Sequence, residues 1–204
     1  MKLYYKPGAC SLSPHIVAHE LGLDIEAEQV DLMKKVTASG ADYLQINPKG
    51  QVPALVLDNG ELLTEGPAIV QYLADQAGKL IPAAGTLARY HMIEALNYIS
   101  TELHKGFTPL FAALFGKREE GVGEQVCRDR LKQNLALTNQ KLSQQDYFCG
   151  SEFSVADAYL FTVLNWAKYV RIDIADYPAL PAYLARIAER PGVQAALKAE
   201  GLLG

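Results

Sequence analysis

Cys10 is the first residue whose setting suggests chemistry. It follows a short strand pattern, Leu3-Tyr4-Tyr5, through a Pro7-Gly8 turn and comes just before a helical run. A thiol placed there lies over the amide end of a helix, where the positive end of the helix dipole favours thiolate. The run from Cys10 to Ser13 reads Cys-x-x-Ser, so the second thiol of a dithiol redox motif is missing. Such a sulfur either borrows a thiol from a small molecule or holds one that does the chemistry. The alternative is a small buried apolar residue, as free cysteines commonly are. Gln51-Val52-Pro53-Ala54 adds a proline at the entrance to a strand, a tolerated position. A cis bond before Pro53 would turn the Val52 amide and carbonyl toward an extended peptide, whereas an ordinary trans turn would not. Glu65-Gly66-Pro67 places a carboxylate at a strand end beside the free amides of a helix N-terminus. That pair can hold the ammonium and carboxylate of an α-amino acid head, or Glu65 can simply cap the helix electrostatically.

The elements that position these residues can be read from periodicity. Leu3 to Tyr5 reads as a strand, Leu12 to Leu23 as a helix with Pro14 in its first turn, and Glu26 to Leu32 as a second strand. A less regular segment to Ile46 carries a short helix. Ala54 to Leu57 and Leu62 to Thr64 flank Asp58-Asn59-Gly60-Glu61, whose Asn-Gly pair signals a hairpin. A helix then runs from Pro67 to about Ala77, completing a β-α-β-α-β-β-α order, a small α/β domain with a mixed sheet. From Gly78 to Gly85 periodicity is lost and Gly, Pro and Ala accumulate, which marks a linker.

Beyond the linker the pattern is helical. Met92, Leu96, Ile99, Leu103 and Phe107 recur at three- and four-residue steps, giving one apolar face, while Asn97, Thr101, His104 and Thr108 form a polar stripe opposite it. Helices are expected over Glu120–Leu142, Ser154–Val170, Leu180–Glu189 and Val193–Glu200. Ser154-Val155-Ala156-Asp157 fits a capping box that starts a buried, central helix. A hydrophobic staple from Phe153 would be weak, because its partner is only Ala158. The expected organisation is therefore residues 1–78, a linker over 79–86, and an all-helical domain over 87–204.

Bulk properties narrow the function classes. Half of the 204 residues are hydrophobic and 21% are charged, the profile of a globular protein with a full core. A net charge of -4 argues against a general nucleic-acid binder. Cys10, Cys127 and Cys149 show no paired spacing, so a reducing compartment is expected rather than a disulfide framework. No zinc motif occurs and no metal is expected. No signal peptide is expected, since the chain reaches Pro7-Gly8 without an apolar core segment, and no apolar run nears the ~20 residues of a membrane helix. A cytoplasmic enzyme is the default reading. Neither Cys127 nor Cys149 lies in a motif, and no role is assigned to them.

Taken together, Tyr5-Lys6-Pro7-Gly8-Ala9-Cys10-Ser11, Val30-Asp31-Leu32, Asn47-Pro48-Lys49-Gly50-Gln51-Val52-Pro53-Ala54-Leu55, Thr64-Glu65-Gly66, Glu102-Leu103-His104-Lys105 and Ser154 to Phe161 occur in order over the full length. On these residues the chain resembles a glutathione S-transferase, most like the bacterial beta class. The resemblance implies an α/β N-terminal thioredoxin-like domain with a mixed four-stranded sheet that binds glutathione, followed by an all-α C-terminal domain forming the hydrophobic-substrate site. It further implies that Cys10 contacts the glutathione sulfur and can form a mixed disulfide with it. Val52 would pair its main chain with the cysteinyl unit before a cis-Pro53. Glu65 and the Gly66 amide would clamp the γ-glutamyl head, and Lys35 would lie near the glycyl carboxylate. Many relatives carry a serine where Gly66 stands, so that hydroxyl contact is absent here.

By the same resemblance His104 lies beside the sulfur, Asn97 and Thr101 approach glutathione from a neighbouring subunit, and Lys105 adds positive charge near the anionic tripeptide. A homodimer is thus the expected state. Phe107, Tyr159 and Trp166 are candidates for the wall of the electrophile pocket, against the alternative that they are ordinary core. The implied activity is a detoxifying conjugation of the glutathione thiolate with an apolar electrophile. A rival keeps the fold but makes thiol-disulfide exchange or reductive dehalogenation through Cys10 the main reaction. Another rival is a non-catalytic protein of the same fold that binds ligands or partners.

Overall fold

The computed structural model describes residues 1–114 and 122–203. The chain forms two compact units, Met1–Ile81 with Ala188–Gly204, and Pro82–Ile187.

In the first unit, strands β1 (Lys2–Tyr5), β2 (Glu26–Asp31), β3 (Val36–Thr37), β4 (Ala54–Val56) and β5 (Leu62–Thr64) make one sheet in the order β3-β2-β1-β4-β5. β1 and β2 are parallel, joined through helix α1 (Leu12–Leu21); the other pairings are antiparallel. The sheet is mixed as expected but has five strands rather than four. The extra strand is only two residues long, pairing Val36 with Asp31 and Thr37 with Val30, too short for a periodic signal.

Both sheet faces are covered, so Leu3 and Tyr4 of β1 are both buried although they point to opposite sides. Tyr4 packs with Val30, Tyr43, Val52 and Ala54 under the short helix α2 (Tyr43–Ile46). The hairpin between β4 and β5 turns at Asn59-Gly60, where Gly60 has φ +85. Helix α3 (Gly66–Ala77) follows, with Pro67 in its first turn.

The division of the chain differs from the expected one, since residues from Ala188 onward belong to the first unit rather than to the helical domain. The cause is helix α9 (Pro191–Ala199), which packs on α1. Gly192 permits the approach: a Cβ there would come within 2.8 Å of the Glu20 backbone nitrogen. Arg190 donates to both carboxylate oxygens of Glu20, at 3.0 and 2.6 Å. At the far end Glu200 accepts from the Gly8 amide at 2.9 Å and bonds His15 Nδ1 at 3.0 Å.

The second unit holds α4 (Leu87–Tyr98), a π-helical segment (Ile99–His104), α5 (Lys105–Leu114), α6 (Val122–Leu142), α7 (Val155–Leu164), a 3₁₀ turn (Ala167–Val170) and α8 (Ala179–Ala188). The expected start of α6 at Glu120 lies outside the described residues. Met92, Leu96, Ile99, Leu103 and Phe107 are all buried, as their spacing predicts. Every residue of α7 is buried, so this helix is the centre of the unit. Its capping box forms, with Asp157 accepting from the Ser154 amide at 2.9 Å. The same carboxylate accepts from the Phe148 amide at 2.7 Å and the Tyr183 hydroxyl at 2.9 Å. The expected Ser154–Val170 helix is interrupted after Leu164, the remainder being the 3₁₀ turn.

Candidate active site

In the first unit the Cys10 loop is tied down before the thiol is reached. Ser11, the N-cap residue of α1, turns its hydroxyl away from the helix to bond both the amide and the carbonyl of Lys6, at 3.1 and 3.2 Å. Ser13 donates to the Cys10 carbonyl at 2.8 Å, so the serine of the Cys-x-x-Ser run fixes the backbone under the thiol. The half-buried Cys10 thiol itself donates to the Val52 carbonyl at 3.2 Å.

The Val52-Pro53 bond is cis. The carbonyl of Gln51, just before it, accepts from the Tyr43 hydroxyl and from Asn47 Nδ2, both at 2.7 Å, which anchors this segment to the core. Gly66 completes the group: a Cβ placed on it would lie 3.8 Å from the Pro53 ring and 3.8 Å from Ser13 Oγ. The thiol turn, the cis-proline and the start of α3 therefore converge in one place, and what they offer is mostly backbone.

Glu65 has φ +72, an unfavourable conformation for a side chain other than glycine and one found where function demands it. It is the N-cap residue of α3, yet its carboxylate makes no capping bond. The carboxylate is exposed and pairs with Lys49 Nζ at 2.6 Å. Lys35, also at positive φ, donates to the Gly50 carbonyl at 2.7 Å. Lys49 was readable only as a letter inside the Asn47–Leu55 motif. Its link to Glu65 spans 16 residues and has no local signal.

In the second unit His104 ends the π-helical segment. Such segments are often found at functional sites, and this one has no sequence signature. Its Nδ1 meets the Tyr159 hydroxyl at 2.6 Å, and its ring stands edge-on to Trp166 with centroids 4.8 Å apart. Phe107 and Phe111 pack against the same indole at 5.9 and 5.7 Å. Phe107 and Tyr159 are 0% and 2% exposed, so these two are core, and Trp166 is only 6% exposed. Phe111, half-exposed, is the member of this cluster that sequence reasoning passed over. Asn97, Thr101 and Lys105 are exposed along the stripe that leads to His104. A cavity of about 420 Å³ in this unit, lined by Leu164, Ile172 and Leu184 with Lys168 and Arg171, includes none of the His104 cluster.

The other cysteines contribute little. Burial, with Asp157 nearby, pushes the Cys149 thiol up to about 12, so it stays protonated at neutral pH. Among the described residues no group of three or more His, Cys, Asp or Glu side chains could hold a metal ion. Nor is any described helix long and apolar enough to cross a membrane.

Comparison with known proteins identifies the family. Residues 8–76 match the family model of the glutathione S-transferase N-terminal domain, and residues 98–191 that of the C-terminal domain. The chain is 52% identical to glutathione S-transferase GstA of Escherichia coli O157:H7, over 99% of its own length and all of that protein. A sphingomonad glutathione S-transferase solved with glutathione is 49% identical, with a TM-score of 0.91 covering 99% of this chain and 100% of that one. The bacterial beta-class enzyme of Sphingomonas chungbukensis is 47% identical with a TM-score of 0.92, each chain covered in full. The chain belongs to the glutathione S-transferase family.

Proposed function

We propose that the first unit binds reduced glutathione and that the tripeptide's thiolate attacks an apolar electrophile. The observation that carries this reading is the convergence of the Cys10 thiol, the Val52 carbonyl beside cis-Pro53, and Gly66 at the start of α3. An extended cysteinyl unit pairs its own amide and carbonyl with such a backbone edge. The α3 amide end with Glu65 suits the two charges of the γ-glutamyl head, and Lys35 suits the glycyl carboxylate. With an aryl halide, the sulfur–carbon bond forms, the carbon–halogen bond breaks, halide leaves with its electron pair, and the thiol proton passes to solvent.

His104, oriented by Tyr159, is the histidine that serves the sulfur. Trp166 and half-exposed Phe111 supply the apolar wall, with Phe107 and Tyr159 behind them. Asn97, Thr101 and Lys105 reach the glutathione of a second copy in a homodimer. Leu87 and Tyr90, 71% and 61% exposed on the same face of α4 as Asn97, support that assembly. A cytoplasmic setting fits three free cysteines.

A second reading, disulfide exchange or reductive dehalogenation, is favoured by the half-buried Cys10 thiol, whose hydrogen-bond partner here is a backbone carbonyl rather than a second thiol. Turnover of an aryl halide and of a mixed disulfide by Cys10→Ala tests both. Conjugation should survive in part while disulfide exchange is lost; loss of conjugation with exchange intact would overturn the assignment of Cys10.

A further inference from the structure

We propose that Lys49 is a stand-in cation: its ammonium lies on Glu65 at the place that the α-ammonium of the γ-glutamyl head would take, so that binding exchanges one ammonium for another. The inference rests on Glu65 being the residue that receives that head.

Lys49 Nζ lies 2.6 Å from Glu65 Oε1 and 2.9 Å from Thr64 Oγ1, so the lysine is held against the end of β5 at two points. Its backbone is also placed: the Lys49 amide donates to Asn47 Oδ1 at 3.1 Å, and Asn47 is itself anchored to the Gln51 carbonyl. At φ +72 the Glu65 carboxylate makes no capping bond to the α3 amides and projects to solvent, where Lys49 Nζ is the cation it meets. A lysine ammonium and an amino-acid ammonium present the same charge and the same three donors.

The two side chains are 55% and 70% exposed, so the incoming head can reach the carboxylate and Lys49 can swing away into water. Exposed pairs of this kind are weak, which makes them exchangeable and makes their competition modest. Lys49 thus tunes how tightly the tripeptide is held without taking part in the chemistry.

Calorimetric titration of reduced glutathione into wild type, Lys49→Met and Lys49→Arg tests this. Lys49→Met should bind about threefold more tightly, and Lys49→Arg should return to the wild-type value. In steady-state conjugation the gain should fall on the glutathione KM, with kcat moving less than about twofold. Unchanged binding overturns the proposal. Weaker binding also overturns it, by placing Lys49 on a carboxylate of the ligand. A glutathione analogue with glutaryl in place of γ-glutamyl, lacking only the α-amino group, separates this from the reading beneath it. If wild type binds the analogue as well as glutathione, the assignment of Glu65 fails and the exchange fails with it. If the analogue binds at least about tenfold more weakly but Lys49→Met gains nothing, only the exchange fails.

Discussion

The two units build their chemistry from different materials. The first presents main chain: the Val52 carbonyl, the cis-Pro53 edge, the Gly50 carbonyl held by Lys35, and Gly66 at the start of α3. The second presents side chains, with His104, Tyr159, Trp166, Phe107 and Phe111 packed ring against ring. A backbone surface needs turns and special φ values, which only a few residue types supply. A ring cluster needs only that several helices bring apolar positions together. The first kind of site is therefore conspicuous in a sequence and the second is not.

The sharpest way to break this contrast is to unseat the centre of the second unit. Asp157→Ala should cost about 3 kcal/mol, because the amides of Phe148 and Ser154 and the hydroxyl of Tyr183 lose a buried acceptor. Urea unfolding followed by fluorescence of Trp166, the only tryptophan, reads this unit directly. A change below about 1 kcal/mol would show the network to be dispensable.

Glu65→Gln probes the first unit, where one side chain does matter. Glutathione affinity should fall about tenfold, because the charge-assisted bond to an ammonium is lost. Titration calorimetry measures it, and an unchanged constant would leave recognition to the backbone alone.

Tyr159→Phe keeps the ring packing and removes the hydroxyl from His104 Nδ1. Conjugation should drop about fivefold, the equivalent of one hydrogen bond of about 1 kcal/mol, with glutathione binding retained. If binding falls instead, the His104 pair belongs to recognition rather than reaction.

Acid should separate the units more gently. Burial works against the charge on Glu28, but hydrogen bonds from Lys2, Ser39 and Thr37 prevail and hold its carboxyl at about 2, below its ordinary value of 4.5. A carboxyl depressed in the folded state stabilises above its unfolded value, and that contribution is lost as pH falls from about 4.5 through about 2. Asp157 is shifted the other way by burial, against its hydrogen bonds. It takes up a proton before the unfolded chain would, so acidification through that range does not subtract its contribution. Hydrogen exchange should thus rise in β1 and β2 at pH values where Trp166 fluorescence is still native; simultaneous loss of both would contradict the assignment. Smallest of all, Gly66→Ser meets nothing nearer than 3.8 Å and should leave stability unchanged. Its hydroxyl should tighten glutathione by about twofold, within the range of one partly exposed hydrogen bond.

Much of the first unit was legible. Asn59-Gly60 announced its hairpin and Pro67 the start of α3, because each residue type restricts the backbone locally, whereas the cis bond before Pro53 came from the family resemblance, not from the proline alone. In the second unit the same held for the Ser154–Asp157 box and for the apolar stripe from Met92 to Phe107. What escaped detection was non-local. The Lys49–Glu65 pair joins a loop to a strand end, Phe111 reaches Trp166 from another helix, and Glu200 returns from the end of the chain to hold Gly8.

The sequence by itself determined where the backbone turns and which residues carry charge or sulfur at those turns, since dihedral restriction and period act over a few residues. Tertiary structure alone decided which of those groups meet. It brought Cys10 to Val52, set the Glu65 carboxylate against Lys49, and buried Phe107 and Tyr159 behind the His104 ring. Pairing at 2.6 to 3.2 Å depends on how whole elements pack, and no local pattern encodes that distance.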